Sequence, residues 1–224
     1  MLFTNRKVQD HFEIKIQNTI IERVQTYKFL GVIIDDQLKW THHINSVCKK
    51  VNQSIGILVK LKNIFKKTTL INVYKTFTQP HLMYCNIVWG NTAQTHLKPL
   101  FIAQKKALKI ALKLPQRTPS DKVFEQARVH TIEQINKIQV SLFMYKYSRH
   151  ILPQTFANQF IANSKLHSHN TRSSQSLHTP FPKLDLMKRS ILYHGPILWN
   201  SLTSDIKLAK SISECKVKLK SFFI

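Results

Sequence analysis

Acidic residues are scarce in this chain: 11 Asp and Glu stand against 34 Lys and Arg over 224 residues, a formal charge of +23 at pH 7. Between Gln37 and Ser120 there is no carboxylate side chain at all. Such a bias points to a polyanionic partner, nucleic acid ahead of a membrane surface. Glycine is almost as rare, with four in the chain, and no G-x-x-x-x-G-K-[ST], G-x-G-x-x-G or G-x-S-x-G occurs. That excludes a glycine-rich phosphate cradle and a nucleophile elbow. Three cysteines, Cys48, Cys85 and Cys215, lie far apart without a CxxC. An odd number without framework spacing argues against a disulfide scaffold and for a reducing, intracellular compartment, nuclear or cytoplasmic rather than secretory. No apolar run approaches the ~20 residues of a membrane helix, and the N-terminus lacks a signal peptide's apolar core. No small-molecule substrate is evident.

What is present reads as a mainly α chain with a short N-terminal β segment. "EIKI" alternates, "TIIERV" follows a turn candidate at Asn18, and "YKFLGVIID" is rich in aromatic and β-branched residues. Gly31, inside that last run, predicts a bulge or a close backbone approach. From Thr41 the period changes: Ile44, Val47, Cys48, Val51, Ile55, Leu58 and Leu61 form one helical stripe. A second helix carries Leu70, Val73, Tyr74 and Phe77, with a kink or restart at Pro80. A third spans about Thr95 to Leu114, closed by Pro115. Thr131 and Gln134 have capping-box spacing at the head of a helix through Tyr145, and Ser211 and Glu214 repeat it before a final helix. The divisions expected are 1–36, the β segment; 37–115, a helical bundle; and 116–224, a mixed, mostly helical region containing a polar loop at 163–182.

The acid-free span holds 13 of the chain's 27 lysines. A solvated helical face normally mixes signs, because i,i+4 pairs stabilise it and like charges repel. A bundle without carboxylates therefore suggests a surface that tracks phosphates. The candidates are Lys49, Lys50, Lys60, Lys62, Lys66, Lys67, Lys105, Lys106, Lys109 and Lys113. Interleaved aromatics should be mostly core, with Trp89 and Trp199 as anchors.

Asp35 and Asp36, at the end of an apolar run, invite comparison with paired metal-binding carboxylates. A two-metal site needs carboxylates that converge from separate segments. Here "QLKWTHHI" follows, with no returning apolar strand, so the pair reads as turn and helix-approach chemistry. Alanine at either position is expected to alter stability slightly. His42, His43 and Cys48 lack a second ligand pair for zinc, and His167, His169 and His178 lack a cysteine partner. No metal or catalytic residue is assigned, and the chain as it stands is not expected to be an enzyme.

"YKFLGVIIDDQLKWTHHI" and "KTFTQPHLMYCNIVWG", followed in order by "LFIAQKKALKIAL", "HNTRSS" and "KRSILYHGPILWNSLTSDI", resemble the region after the catalytic palm in reverse transcriptases of non-LTR retrotransposons, nearest the jockey-like branch. The resemblance covers essentially the whole chain. It implies an RNA-directed DNA polymerase family whose activity uses Mg²⁺. Phe29, Leu30 and Gly31 would belong to the strand that supports the primer end, and the lysine-rich helices would be the thumb that holds an RNA/DNA duplex by its backbone. Residues 1–36 would be the palm's edge. The fingers and the Tyr/Phe-x-Asp-Asp hairpin would lie ahead of Met1, so the magnesium ligands are missing. Thr203 stands where relatives usually have proline, and Cys215 where an aromatic is common. The expectation is a truncated, non-catalytic copy with a basic template–primer surface. The alternatives are the C-terminal half of an active polymerase known from an incomplete gene model, an unrelated basic nucleic-acid-binding protein, and an interaction domain whose charge is incidental.

Overall fold

The computed structural model describes residues 1, 3, 14–166 and 174–223. His167, His169 and all but the final serine of "HNTRSS" lie outside the described residues, as does most of "MLFTNRK". The architecture is mainly helical behind two small antiparallel hairpins. β1 (Ile14–Ile16) pairs with β2 (Thr19–Ile21) around Gln17 and Asn18, both at positive φ, so the turn expected at Asn18 is there.

The run "YKFLGVIID" is not one strand. β3 (Thr26–Phe29) folds back on β4 (Val32–Asp35), in register Phe29 to Val32. Leu30 and Gly31 form the two-residue turn between them, with φ of 44° and 83°. Positive φ at both central residues is the geometry whose twist matches a hairpin. Gly31 is therefore a turn residue, not a bulge within a strand. An unbroken apolar run hides this turn because only one of its two residues is glycine.

The helices are α1 (Thr41–Leu61), α2 (Lys67–Phe77), α3 (Gln79–Met83), α4 (Asn86–Trp89), α5 (Gln94–Ala111), α6 (Ser120–Ala127) and α7 (Ile132–Ser148). Beyond a 3-10 turn at Gln154–Phe156 come α8 (Asn163–Leu166), α9 (Asp185–Lys188), α10 (Ile191–Ser201), α11 (Ser204–Lys207) and α12 (Ile212–Phe222). The predicted stripe of α1 is the buried one: Ile44, Val47, Val51, Ile55 and Leu58 pack against Leu97, Leu100, Ala107 and Leu108 of α5. Pro80 sits at the start of α3, where its missing N–H costs nothing. α5 stops at Ala111, three residues before its expected end, and Lys113 turns left-handed at φ 53°. No described helix is long and apolar enough to cross a membrane.

Two buried clusters organise the helices. One runs from Ile44 to Ile135 through α1, α2, α5, α6 and the first turn of α7. Gln104, fully buried on α5, ties it together: its amide donates to the Tyr74 hydroxyl and the His130 carbonyl and accepts from the Ile132 N–H. A buried amide with every partner in place stabilises, whereas an unpaired one would cost about 1–3 kcal/mol. The other cluster joins Ile138 and Tyr145 of α7 to Leu202, Ile206, Cys215 and Leu219. Trp89 is a core anchor, fully buried, but Trp199 is half-buried at the edge of the second cluster with the Lys207 ammonium over its ring.

Both capping predictions fall on helix starts. Thr131 and Gln134 make the reciprocal box at the head of α7. At α12 the Ser211 hydroxyl accepts from the Glu214 N–H, but the Glu214 carboxylate reaches the Lys210 N–H instead of closing the box.

Candidate nucleic-acid interface

The lysines are positioned by the same periodicity that builds the core. On α1, burial of the Ile44–Leu58 stripe turns Lys49 and Lys60 outward. Lys50 flanks the stripe and lies near enough to His43 and His81 to push both imidazoles toward their neutral forms, adding to the larger effect of burial. Lys60, Lys62, Lys66 and Lys67 are all exposed and cluster at one end of the bundle, where α1 turns into α2. On α5, Lys106 is exposed, and Lys113 is exposed just past the helix end. Lys105 is half-buried, its ammonium donating to the Ser120 hydroxyl at 3.3 Å and lying 5.8 Å from the Phe101 ring centre.

Lys109 is different. It is buried, and its ammonium donates to the Gln116 carbonyl, so it closes the loop after α5 instead of facing solvent. Its inclusion among the phosphate contacts is corrected accordingly. Sequence could not separate it from Lys106, because the covering loop from Leu112 to Thr118 follows no period.

The helix ends sharpen the electrostatic picture. A helix N-terminus carries partial positive charge and favours carboxylates and side-chain caps in its first turn. α1, α2 and α5 have neither: no acidic residue stands in any of their first turns, and no side chain caps them. α2 begins instead with Lys66 as its N-cap and Lys67 as its first residue. α7 and α12, outside the acid-free span, each have a hydroxyl cap and a glutamate in the first turn. At α2 the uncapped N-terminal N–H groups beside Lys66 and Lys67 make an anion-receptive end.

The Phe29–Gly31 segment is the tip of the β3–β4 hairpin. Phe29 and Leu30 are exposed, and the Tyr84 hydroxyl, just after α3, donates to the Leu30 carbonyl and holds the tip against the helices. Nothing in the sequence marks Tyr84 for this role, since 54 residues separate the partners.

Asp35 is buried, and its carboxylate accepts from the backbone N–H groups of Gln37, Lys39 and Trp40 at 3.2, 2.9 and 2.7 Å. It organises the turn into α1, and its oxygens are spent on that turn. Among the described residues no three His, Cys, Asp or Glu side chains gather to hold a metal ion. Magnesium, which the family resemblance implies, therefore finds no fitting ligand set in them. The stability expectation for Asp35 is revised upward. Asp35→Ala should cost about 2 kcal/mol in a urea titration, because hydrogen bonds to a charged group are worth ~1.5–3 kcal/mol. Half-buried Asp36, with no such set of bonds, should tolerate alanine. Equal losses at the two positions would refute this division.

No family model and no solved structure matches the chain. Three known proteins do. It is similar to the RNA-directed DNA polymerase from mobile element jockey of Drosophila funebris, 30% identical over 110 residues, 48% of this chain and 12% of that protein. The Drosophila melanogaster protein of the same description is 27% identical over 99 residues, 43% of this chain and 11% of the relative. A probable RNA-directed DNA polymerase from transposon BS of Drosophila melanogaster is 22% identical over 140 residues, covering 60% and 15%. The matches thus span about half of this chain and a small part of each relative. Over that half, the chain is related to non-LTR retrotransposon reverse transcriptases.

Proposed function

We propose, for a chain related to such polymerases over about half its length, that its helical bundle serves as a thumb-like grip on an RNA/DNA template–primer duplex, held by backbone contacts. The observation that carries this reading is the acid-free span from Gln37 to Ser120, which extends even to the N-terminal turns of α1, α2 and α5. Leaving the first turns of α2 and α5 without carboxylates forgoes about 0.3–1 kcal/mol of stabilisation per helix end, so a bound polyanion is the natural source of compensation there; at α1 the Asp35 carboxylate already accepts from the N-cap N–H. The exposed lysines at the α1–α2 turn, with Lys49, Lys106 and Lys113, supply the charges; the hairpin tip at Phe29–Gly31 supports the primer end.

On this reading the chain by itself binds and does not transfer nucleotides; in support, the Asp35 carboxylate is committed to its turn, and the adjacent Asp36 has no third acid gathered with it among the described residues. A second reading is that the same surface works within an active RNA-directed DNA polymerase when joined to a catalytic palm. The much greater length of the jockey relatives favours it.

Filter binding or anisotropy with a labelled RNA/DNA duplex, over a range of salt, is the test. The protein should bind without sequence preference, with a steep dependence of log K on log salt. Lys60→Glu, Lys62→Glu and Lys66→Glu together should lower affinity at least tenfold at ~0.15 M salt and flatten the slope by roughly 2–3. A triple variant with unchanged affinity and slope would remove this surface from consideration. Nucleotide incorporation by this chain alone would overturn the non-catalytic reading and leave the binding reading standing.

A further inference from the structure

One face of α7 borders a groove of about 330 Å³, closed on one side by α12 and on another by α3 and α4. Its floor is aliphatic, with Ile87, Ile138 and Leu142 prominent, and three lysines line its edges: Lys146 from α7, Lys216 and Lys220 from α12. None of these ammonium groups has an ion-pair partner among the described residues, and no carboxylate lines the groove. The neighbouring Lys218 makes the contrast, since it pairs with Asp205 and Glu214 at 2.7 and 2.9 Å. On α12, Lys218 thus pairs with that helix's Glu214 and with Asp205 of α11, while Lys216 and Lys220 line the groove without an ion pair.

We infer that this groove docks a protein partner through a short segment carrying large apolar side chains flanked by carboxylates. The size suits one or two apolar anchors, the usual core of a helix-in-groove contact. Lys216 and Lys220 are four residues apart, about 6 Å along the helix. That spacing matches carboxylates one turn apart on a docked helix, and a single-headed fatty acid would leave one lysine unused. The polar side chains lining it are partly spent already: the Gln139 amide donates to the Met83 carbonyl and accepts from the Ile87 N–H, and a His130 ring nitrogen hydrogen-bonds with the Lys220 carbonyl, so a polar ligand finds little beyond Gln79. Nor does it suit a stacked base. Its one aromatic carbocycle, Phe143, has two edge-to-face ring neighbours, Phe156 at 5.3 Å and Phe160 at 6.5 Å, and is locked among them.

The inference is independent of the duplex-binding reading, and its test keeps the two apart. A fluorescein-labelled peptide with leucine and phenylalanine one helical turn apart, flanked by glutamates, is titrated with the full chain by anisotropy. Saturable binding with a micromolar Kd is expected, weakened at least tenfold by Lys216→Glu with Lys220→Glu and also by Lys146→Glu on the other wall. These positions carry no structural hydrogen bond through their side chains, so the variants should fold. An unlabelled RNA/DNA duplex should not displace the peptide. Failure to saturate, equal affinity in the variants, or displacement by the duplex would each overturn the proposal, the last by assigning these lysines to nucleic acid.

Discussion

Trp89→Ala should lower stability by about 3–5 kcal/mol, the range for removing a fully buried large aromatic. For a chain of this size that corresponds to a fall of roughly 6–20 °C in Tm, read by circular dichroism. The effect should be large because Trp89 connects several elements. Its indole N–H donates to the Tyr84 carbonyl at 3.0 Å, while the Tyr84 hydroxyl holds the hairpin at Leu30. Its ring also meets the edge of His43 at 5.3 Å. Alanine would open a cavity and release the strap between the hairpin and the helices together. Trp199→Ala should cost distinctly less, since that ring is only half-buried. Comparable losses at the two tryptophans would contradict this account of the core.

Stability should also fall steeply on acidification, through His43. This imidazole is buried, and its Nδ1 accepts the Ile33 N–H at 3.3 Å, a bond available only to the neutral ring. Burial, and secondarily the Lys50 ammonium, push its pKa down from 6.5 to about 4. Between those values the unfolded chain binds a proton that the folded chain does not, so stability rises with pH across the window. The contribution is complete above pH 6.5 and is lost as pH falls toward 4, reaching about 3 kcal/mol at one pKa unit per 1.36 kcal/mol. His81 and His194, also held low by burial, act in the same direction. Urea titrations at pH 7.5 and 4.5 should show the loss, and His43→Gln, which can still accept from Ile33, should remove most of it. An unchanged pH dependence in that variant would place the acid sensitivity elsewhere.

The parts of the structure that follow a local rule were legible from residues alone. The α1 stripe, the restart at Pro80 and the Thr131 cap each depend on neighbours within about four positions, the reach of helical periodicity and capping. Asp35 was correctly read as turn chemistry, though its burial, and therefore its weight in stability, was not visible. The hairpin at Leu30 and Gly31 was missed because a leucine at positive φ breaks the usual residue preference and leaves no composition signal.

By itself the sequence determined the sign and placement of the charge, the helical class and the spans of the main helices, because these depend on composition and short-range spacing. Only the tertiary structure decided which lysines are free. Lys109 is buried by a loop, Lys218 is paired with Asp205 across 13 residues, and Lys216 and Lys220 are left facing an apolar groove. The physical reason is common to all three: an ammonium group's availability depends on what packs or pairs beside it, and those neighbours come from segments that no local period relates.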